Sequence, residues 1–404
     1  MLKSKIRAIF SGCMLFLVLF IVSCNKQGDN PVDPTGGSEY YRGEIVGEPK
    51  FWTEAPTDFV KNIADAFNIN SDYIGKYSVR VYSMTYKTID KNGDFVNASG
   101  TVFYPVSNEE LPVLSYHHGT EFYRMDVASI NPFANQAEAF LIASNGYATF
   151  VPDYLGYGVS NRIHPYHVAD ISANTAIDFI RAGKSFCKDH EVKLNNKLFL
   201  GGYSEGGYVT LAVQKEIETN LASEFSVTAS APLSGAYDLM ETGKYYFNKE
   251  VVSRPDFLGF LITAYNDVYE WNKLDTIFNQ PYAAKMNSLY DGSHSSDDIK
   301  SNLNDTLNVL IKQEFIDKFL SSETTAEKQK FAANSLLDWT PKAPIQMVHG
   351  DSDEIVPYIN ASKAYDTFKA KGADVVLMTV PGGTHATTII PAVVYTLDFF
   401  KKYK

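Results

Sequence analysis

The run "LFLGGYSEGGYV", Leu198 to Val209, sets Ser204 among four glycines, between an apolar stretch and the start of an amphipathic pattern. Glycine inside an ordered element costs stability, because it loses more conformational freedom on folding than any other residue. Four of them around one serine imply a crowded turn in which backbone meets backbone. Gly202, Ser204 and Gly206 form the pattern G-x-S-x-G. After a buried strand and before a helix, that pattern is a tight elbow that lifts a serine hydroxyl above the end of a sheet. Val209, Val213 and Ile217 then recur at helical spacing, as the second half of that reading requires.

A serine hydroxyl is a poor nucleophile until a base takes its proton, and the base needs a third group to fix its tautomer. On a sheet of this kind the partners follow in the order serine, acid, histidine, beyond the carboxyl ends of later strands. His385, in "PGGTHATT" after the last apolar run, is the one histidine of eight that lies beyond both the serine and a suitable acid. The segment "HGDSDEIVP" holds three acids, Asp351, Asp353 and Glu354, just past the preceding strand. Asp238, after the strand before that, is a further alternative. The oxyanion of such a reaction needs preorganised backbone donors. The N–H of Glu205, next to the nucleophile, is one. The loop "HHGTE" supplies the other, with Thr120 preferred, Glu121 in reserve, and Gly119 allowing close approach.

The body of the chain alternates. "YSVRVYSMTY" and "FVNASGTVFYPV" flank "DKNGD", a hairpin centred on Asn92 and Gly93. Buried-strand patterns begin near Leu111, Tyr147, Lys197, Val227, Ala343 and Asp374, with helical patterns between several of them. One such helix carries Ala169, Ala173, Ala176, Ile177 and Ile180 on one face. Strand–helix alternation after a hairpin predicts an α/β fold whose mainly parallel sheet is covered by helices on both faces. Residues 236–340 break the rhythm: they hold many aromatics and no convincing strand. A structureless connection of that length is improbable, so a helical cap insertion is expected there. It divides a core of residues 46–235 and 341–404.

The first 23 residues read as a targeting segment. Lys3, Lys5 and Arg7 precede an apolar run from Met14 to Val22, the layout of a secretory signal. The run ends in "IVSC", Ile21 to Cys24, which resembles a bacterial lipobox; the resemblance implies cleavage before Cys24 and lipidation of its sulfur. Residues 24–45 are polar and rich in Gly, Pro and Asp, and form a tether. The expected location is therefore the periplasmic face or outer surface of a bacterial membrane. Cys13 falls in the signal and Cys24 carries lipid, which leaves Cys187 alone as core filler with no internal disulfide. A formal charge of −11 without a basic stripe excludes nucleic acid as an expected partner.

Taken in order, "HHGT", "DYLGYGVS" (Asp153 to Ser160), "GGYSEGG", "HGDSDEIVP" and "GGTHA" resemble the α/β-hydrolase family over residues 75 to 404. "GYSEGG" with "DYLGYG" and a helical insertion is most similar to secreted lipases and carboxylesterases with a cap. The resemblance implies ester hydrolysis through an acyl-enzyme, with a small-molecule, lipid or glycan ester as substrate and no metal or organic cofactor. Its G-x-x-D-x-x-V-P pattern places the acid at Asp353. Ser204, Asp353 and His385 are then catalytic, and Tyr154, Tyr157 and Tyr203 are candidate pocket residues, although the glycines around Tyr154, Gly156 and Tyr157 equally suit loop shaping. His117 and His118 lack a third ligand at metal spacing and fit a structural or pocket role; His349 fits a backbone contact. In the insertion, Phe257, Phe260 and Tyr265 are expected to cover an acyl chain. Two other readings share the motif: a prolyl-oligopeptidase-type peptidase, disfavoured by the lack of a propeller repeat, and a non-catalytic binding lipoprotein, disfavoured by the intact serine, acid and histidine.

Cys24→Ala is expected to move the protein from the membrane pellet to the soluble fraction. Retention in the pellet after a carbonate wash contradicts the lipidation reading.

Overall fold

The structure, a computed structural model, describes residues 40–404. The signal, Cys24 and nearly all of the tether lie outside the described residues. The expected hairpin joins β2 (Val79–Ile89) to β3 (Phe95–Pro105), with Ile89 opposite Phe95 and Gly93 at φ 82° in the turn. That positive φ is why glycine sits there. Each parallel strand foreseen from an apolar run is present: β4 (Leu111–His117), β5 (Ala148–Pro152), β6 (Leu194–Tyr203), β7 (Val227–Leu233), β8 (Ile345–Gly350) and β9 (Val375–Val380). Among the described residues they form, with an edge strand β1 (Ile45–Ala55), one sheet in the order β1-β2-β3-β5-β4-β6-β7-β8-β9. It is antiparallel from β1 to β5 and parallel from β5 to β9.

The unforeseen element is the edge strand β1 (Ile45–Ala55), antiparallel to β2. Residues 40–45 were expected as tether, yet the Gly43 N–H donates to Lys87 O, and Arg42 pairs at 2.9 Å with the buried Asp178 of a core helix. The chain is thus packed onto the fold before β1 begins.

Helices cover both faces. On one, α1 (Thr57–Ala66) and α2 (Ala137–Ser144) pack with α10 (Ile389–Lys401), sharing a cluster with Phe103, Leu114 and Phe199. On the other lie α3 (Ala169–Asp189) and α4 (Glu205–Asn220), which bury Ala173, Ala176, Ile177 and Ile180, and Val209, Val213 and Ile217. Cys187 at the end of α3 is fully buried, and burial pushes its thiol up to about 12, so it is inert filler. No helix among the described residues is long and apolar enough to cross a membrane.

Between β7 and β8 the chain builds the helical cap: α5 (Leu239–Phe247), α6 (Pro255–Val268), α7 (Gln313–Leu320), α8 (Ala326–Ala333) and short turns between them. It is bolted to the core by stacked rings. Phe260 lies 4.8 Å from Tyr166 at 9°, and Tyr290 lies 5.1 Å from Phe260 at 14°. The helix α9 (Ile359–Ala370) then returns the chain from β8 to β9.

The glycines of the elbow separate into two kinds. A Cβ on Gly206 would lie 1.9 Å from His117 O, one on Gly202 would lie 2.5 Å from the same oxygen, and one on Gly207 would lie 2.3 Å from Leu233 O. At Gly201 the nearest atoms stand at 3.7 Å, an ordinary contact. Gly206→Ala is therefore expected to lower stability by more than about 3 kcal/mol or to abolish folding. Gly201→Ala is expected to stay within about 1 kcal/mol of wild type in urea denaturation.

Candidate active site

The elbow places Ser204 between β6 and α4 with φ 61° and ψ −120°, a conformation that non-glycine residues rarely adopt. Its N–H donates to Leu233 O at 2.9 Å, which holds the turn against the neighbouring strand. From there the hydroxyl faces His385: Ser204 Oγ lies 2.8 Å from His385 Nε2, and His385 Nδ1 lies 2.7 Å from Asp353 Oδ2. The carboxylate can only accept, so Nδ1 donates and Nε2 is left to accept the serine proton.

Asp353 is held in an unusually full set of donors. Its Oδ1 accepts the N–H groups of Ile355 (2.9 Å) and Val356 (2.8 Å). Its Oδ2 lies 3.2 Å from His349 Nε2 in addition to His385. Burial pushes this carboxyl up, but the His349 and His385 contacts outweigh it and hold it well below the usual carboxylate range. The other acids have different work. Asp351 accepts the Gly382 N–H at 2.7 Å, and Glu354 accepts the backbone N–H of His385 at 3.2 Å. Asp238 caps α5 through the Glu241 N–H (3.1 Å) and pairs with Lys363 at 2.7 Å. Of these four acids only Asp353 bonds the His385 ring.

The loop after β4 lies against the elbow: a Cβ on Gly119 would stand 3.8 Å from Ser204 Cβ. The backbone N–H groups of Thr120 and Glu205 donate to no acceptor among the described residues. Glu205 opens α4, so its N–H belongs to the unpaired first turn and to the positive end of the helix dipole. The Thr120 side chain is turned to Tyr166, with Oγ1 3.0 Å from its hydroxyl.

Tyr154 and Tyr157, candidates for the pocket wall, are fully buried and brace this loop instead. The Tyr154 hydroxyl donates to His118 O at 3.0 Å, and the Tyr157 hydroxyl donates to Glu121 O. Tyr203 is likewise a brace, donating to His385 O at 2.6 Å. His117 and His118 have structural partners: His117 bonds Ser115 and Thr210 and is pushed by burial down to about 3, while His118 reaches Gly119 O and Asp153 O. His349 donates to Val356 O at 2.9 Å, the backbone contact expected of it.

Above Ser204 lies a narrow cleft, part of it open to solvent, with walls from Leu239, Tyr246, Phe257, Leu258, Leu261 and Val356. The cap and the loop after β8 supply these side chains. Of the three cap aromatics proposed as acyl cover, only Phe257 lines this cavity. Phe260 belongs to the stack with Tyr166 and Tyr290, and the Tyr265 hydroxyl is tied to His167 O at 2.9 Å, so both are core.

Two residues at the site carried no signal in the sequence, His164 and His167 in "HPYHV". His164 Nε2 lies 2.6 Å from Glu205 Oε1. His167 borders the cavity, and burial pushes it down to about 4. Their spacing along the chain says nothing of Ser204; the approach depends on how the loop before α3 folds back.

A family model described as secretory lipase matches residues 125–400. A secreted triacylglycerol lipase from Malassezia globosa, LIP3, is 28% identical over 280 residues, which is 64% of this chain and 56% of that protein. The chain thus spans a little over half the length of that relative. Among solved structures, a ligand-bound form of the rice cell wall degrading esterase LipA from Xanthomonas oryzae is 28% identical. It aligns with 90% of this chain and 100% of its own, with a TM-score of 0.81. Candida antarctica lipase A, 16% identical with a TM-score of 0.66 over 92% of this chain and 84% of its own, shares the fold. With an α/β-hydrolase sheet, a helical cap and a family match over most of its length, the chain belongs to the secretory lipase family.

Proposed function

We propose that the protein is an exported serine hydrolase that cleaves carboxylic esters with an apolar acyl chain through an acyl-enzyme. The observation that carries this reading is the unbroken hydrogen-bonded chain from Ser204 Oγ through His385 to Asp353. Ser204 attacks the acyl carbon while His385 takes its proton at Nε2 and returns it to the leaving alcohol. Asp353 holds the imidazole in the tautomer that leaves Nε2 free and stabilises the imidazolium once it forms. The N–H groups of Thr120 and Glu205 receive the oxyanion, each worth about 3–4 kcal/mol in the transition state. Water then enters, His385 deprotonates it, and the same steps in reverse release the acid and Ser204.

The apolar walls above Ser204, most of them from the cap, support an acyl chain as the part bound there. The relatives named for triacylglycerol and for cell wall substrates support the ester class in common. On the reading of Cys24 as lipidated, the enzyme is held on a bacterial membrane by its N-terminal lipid, with the tether spacing the domain from the surface.

A fluorophosphonate probe is expected to label Ser204, and Ser204→Ala is expected to lose both labelling and about 10⁶ in turnover on p-nitrophenyl esters. Asp353→Asn should cost about 10⁴, because the imidazole then sits in the wrong tautomer. Asp238→Asn should leave turnover within a few-fold. A damaging Asp238→Asn with a mild Asp353→Asn reverses the acid assignment, and faster turnover of peptide anilides than of esters reverses the substrate class.

Phe257→Ala is expected to shift the preferred p-nitrophenyl ester toward longer acyl chains. Phe260→Ala should instead cost about 3–5 kcal/mol of stability with the chain-length profile unchanged. An unaltered profile in folded Phe257→Ala removes that side chain from the acyl site.

A further inference from the structure

We propose that His164 neutralises the oxyanion site: as an imidazolium it pairs with the Glu205 carboxylate, so that no net negative charge stands behind the Glu205 N–H. This rests on the reading of Glu205 N–H as an oxyanion donor. Glu205 follows the nucleophile directly and is buried. An ionised carboxylate so placed opposes the negative charge that develops on the substrate. At about 6 Å and an effective dielectric of ~20, one like charge slows oxyanion formation about a hundred-fold. This chain therefore needs a reason to tolerate glutamate there.

The hydrogen bonds of His164 supply it. His164 Nδ1 lies 2.7 Å from Leu155 O, a group that only accepts, so Nδ1 carries a proton. His164 Nε2 lies 2.6 Å from Glu205 Oε1, and a bare nitrogen and a carboxylate cannot bond each other. One proton therefore lies between them, and the pair is neutral as a whole. The surroundings place that proton on the nitrogen. Tyr157 and Tyr154 stack on the imidazole at 4.6 Å and 5.9 Å, which favours a cation. Burial alone would push the Glu205 carboxyl up, but the charge and bond of His164 outweigh it and hold the group below the ordinary glutamate range.

The other groups facing this carboxyl cannot take over. Burial pushes both His167 and His118 down, against the pull of the Glu205 charge. Tyr154 and Tyr157, Tyr166 of the same loop, and Tyr208 of α4 are phenols whose ionisation burial opposes. Glu205 Oε2 has no hydrogen-bond partner among the described residues. The "DYLGYG" segment is the scaffold that delivers the imidazole: a Cβ on Gly156 would lie 2.5 Å from His164 Cα, and Gly156 N–H is held by Ser160 Oγ at 3.0 Å. His164 is thus a positioning residue that acts through Glu205 and touches no substrate.

The test reads kcat/KM against pH for wild type, His164→Gln, His164→Phe, and the doubles that add Glu205→Gln, with folding checked by circular dichroism. Wild type should show no descending limb at alkaline pH. Without the imidazolium, the buried Glu205 carboxyl ionises only at raised pH. Each folded single variant should then gain a descending limb between about pH 7 and 9, with a fall of about ten- to hundred-fold. The doubles should lack that limb, whatever their absolute rate. In ¹⁵N-histidine-labelled wild type, one imidazole should carry both ring protons. Plateaus in the single variants, a limb that survives in the doubles, or the absence of a doubly protonated imidazole in wild type each overturn the proposal. A wild type that neither hydrolyses esters nor reacts with fluorophosphonate overturns the hydrolase reading itself; an active wild type with flat variants overturns only the role of His164.

Discussion

Everything at the site depends on how closely the end of β4 approaches the first turn of α4. His117 O occupies the space that side chains on Gly202 and Gly206 would need. The same contact is reinforced from the side: the buried His117 ring bonds Thr210 at 2.8 Å, and the Thr210 hydroxyl donates to Gly206 O at 2.7 Å. Strand and helix are therefore locked in both backbone and side chain. The strained φ of Ser204, a cost of order 1–3 kcal/mol, persists because these neighbours leave the turn no other path. One close approach thereby fixes where the Ser204 hydroxyl points and where the loop after β4 must run.

The serine, acid and histidine were legible because each is set by its own short stretch at the end of a strand. Backbone crowding writes itself into the sequence as glycine, and the strand order dictates the chain order of the partners. The exception is instructive: Gly201 belongs to the same quartet yet meets nothing closer than 3.7 Å, so the glycines of a motif are not all there for one reason. The edge strand β1 was illegible because its residues are mostly half-exposed or exposed, without the alternation that marks a strand with one dry face. The cap was legible as helix but not in rotation. With Phe257, Leu258, Phe260, Leu261 and Tyr265 in one short run, α6 is apolar around most of its circumference, and the sequence cannot say which stripe meets the cavity. Packing decides: Phe257, Leu258 and Leu261 face Ser204, while Phe260 and Tyr265 hold the cap down.

The tyrosines after β5 make the same point from the other side. Aromatic residues in a glycine-rich loop beside a nucleophile suggest a substrate wall. Their hydroxyls instead satisfy carbonyls of the loop that carries Thr120, at His118 O and Glu121 O. A buried phenol must find an acceptor, and a loop with unpaired carbonyls must find donors. Each need answers the other, and the loop is held by its carbonyls.

The sheet order also explains why so many carboxylates gather near His385 while only one bonds its ring. His385 follows β9, three strand spacings from β6, or about 14 Å at the usual separation. Its loop has to lean back across β8 and β7 to reach Ser204, and an unsupported loop over that span would carry the imidazole out of register. Three contacts hold it. Asp351 takes the Gly382 N–H at the start of the loop, Glu354 takes the N–H of His385, and the Tyr203 hydroxyl takes its carbonyl. Two of these come from the loop after β8 and one from the strand that leads into Ser204, so the backbone of His385 is clamped from both sides of the gap it bridges. Asp353 then meets the ring, itself fixed by the Ile355 and Val356 N–H groups and by His349. An acid after β7, at Asp238, is turned instead to the cap of α5 and to Lys363.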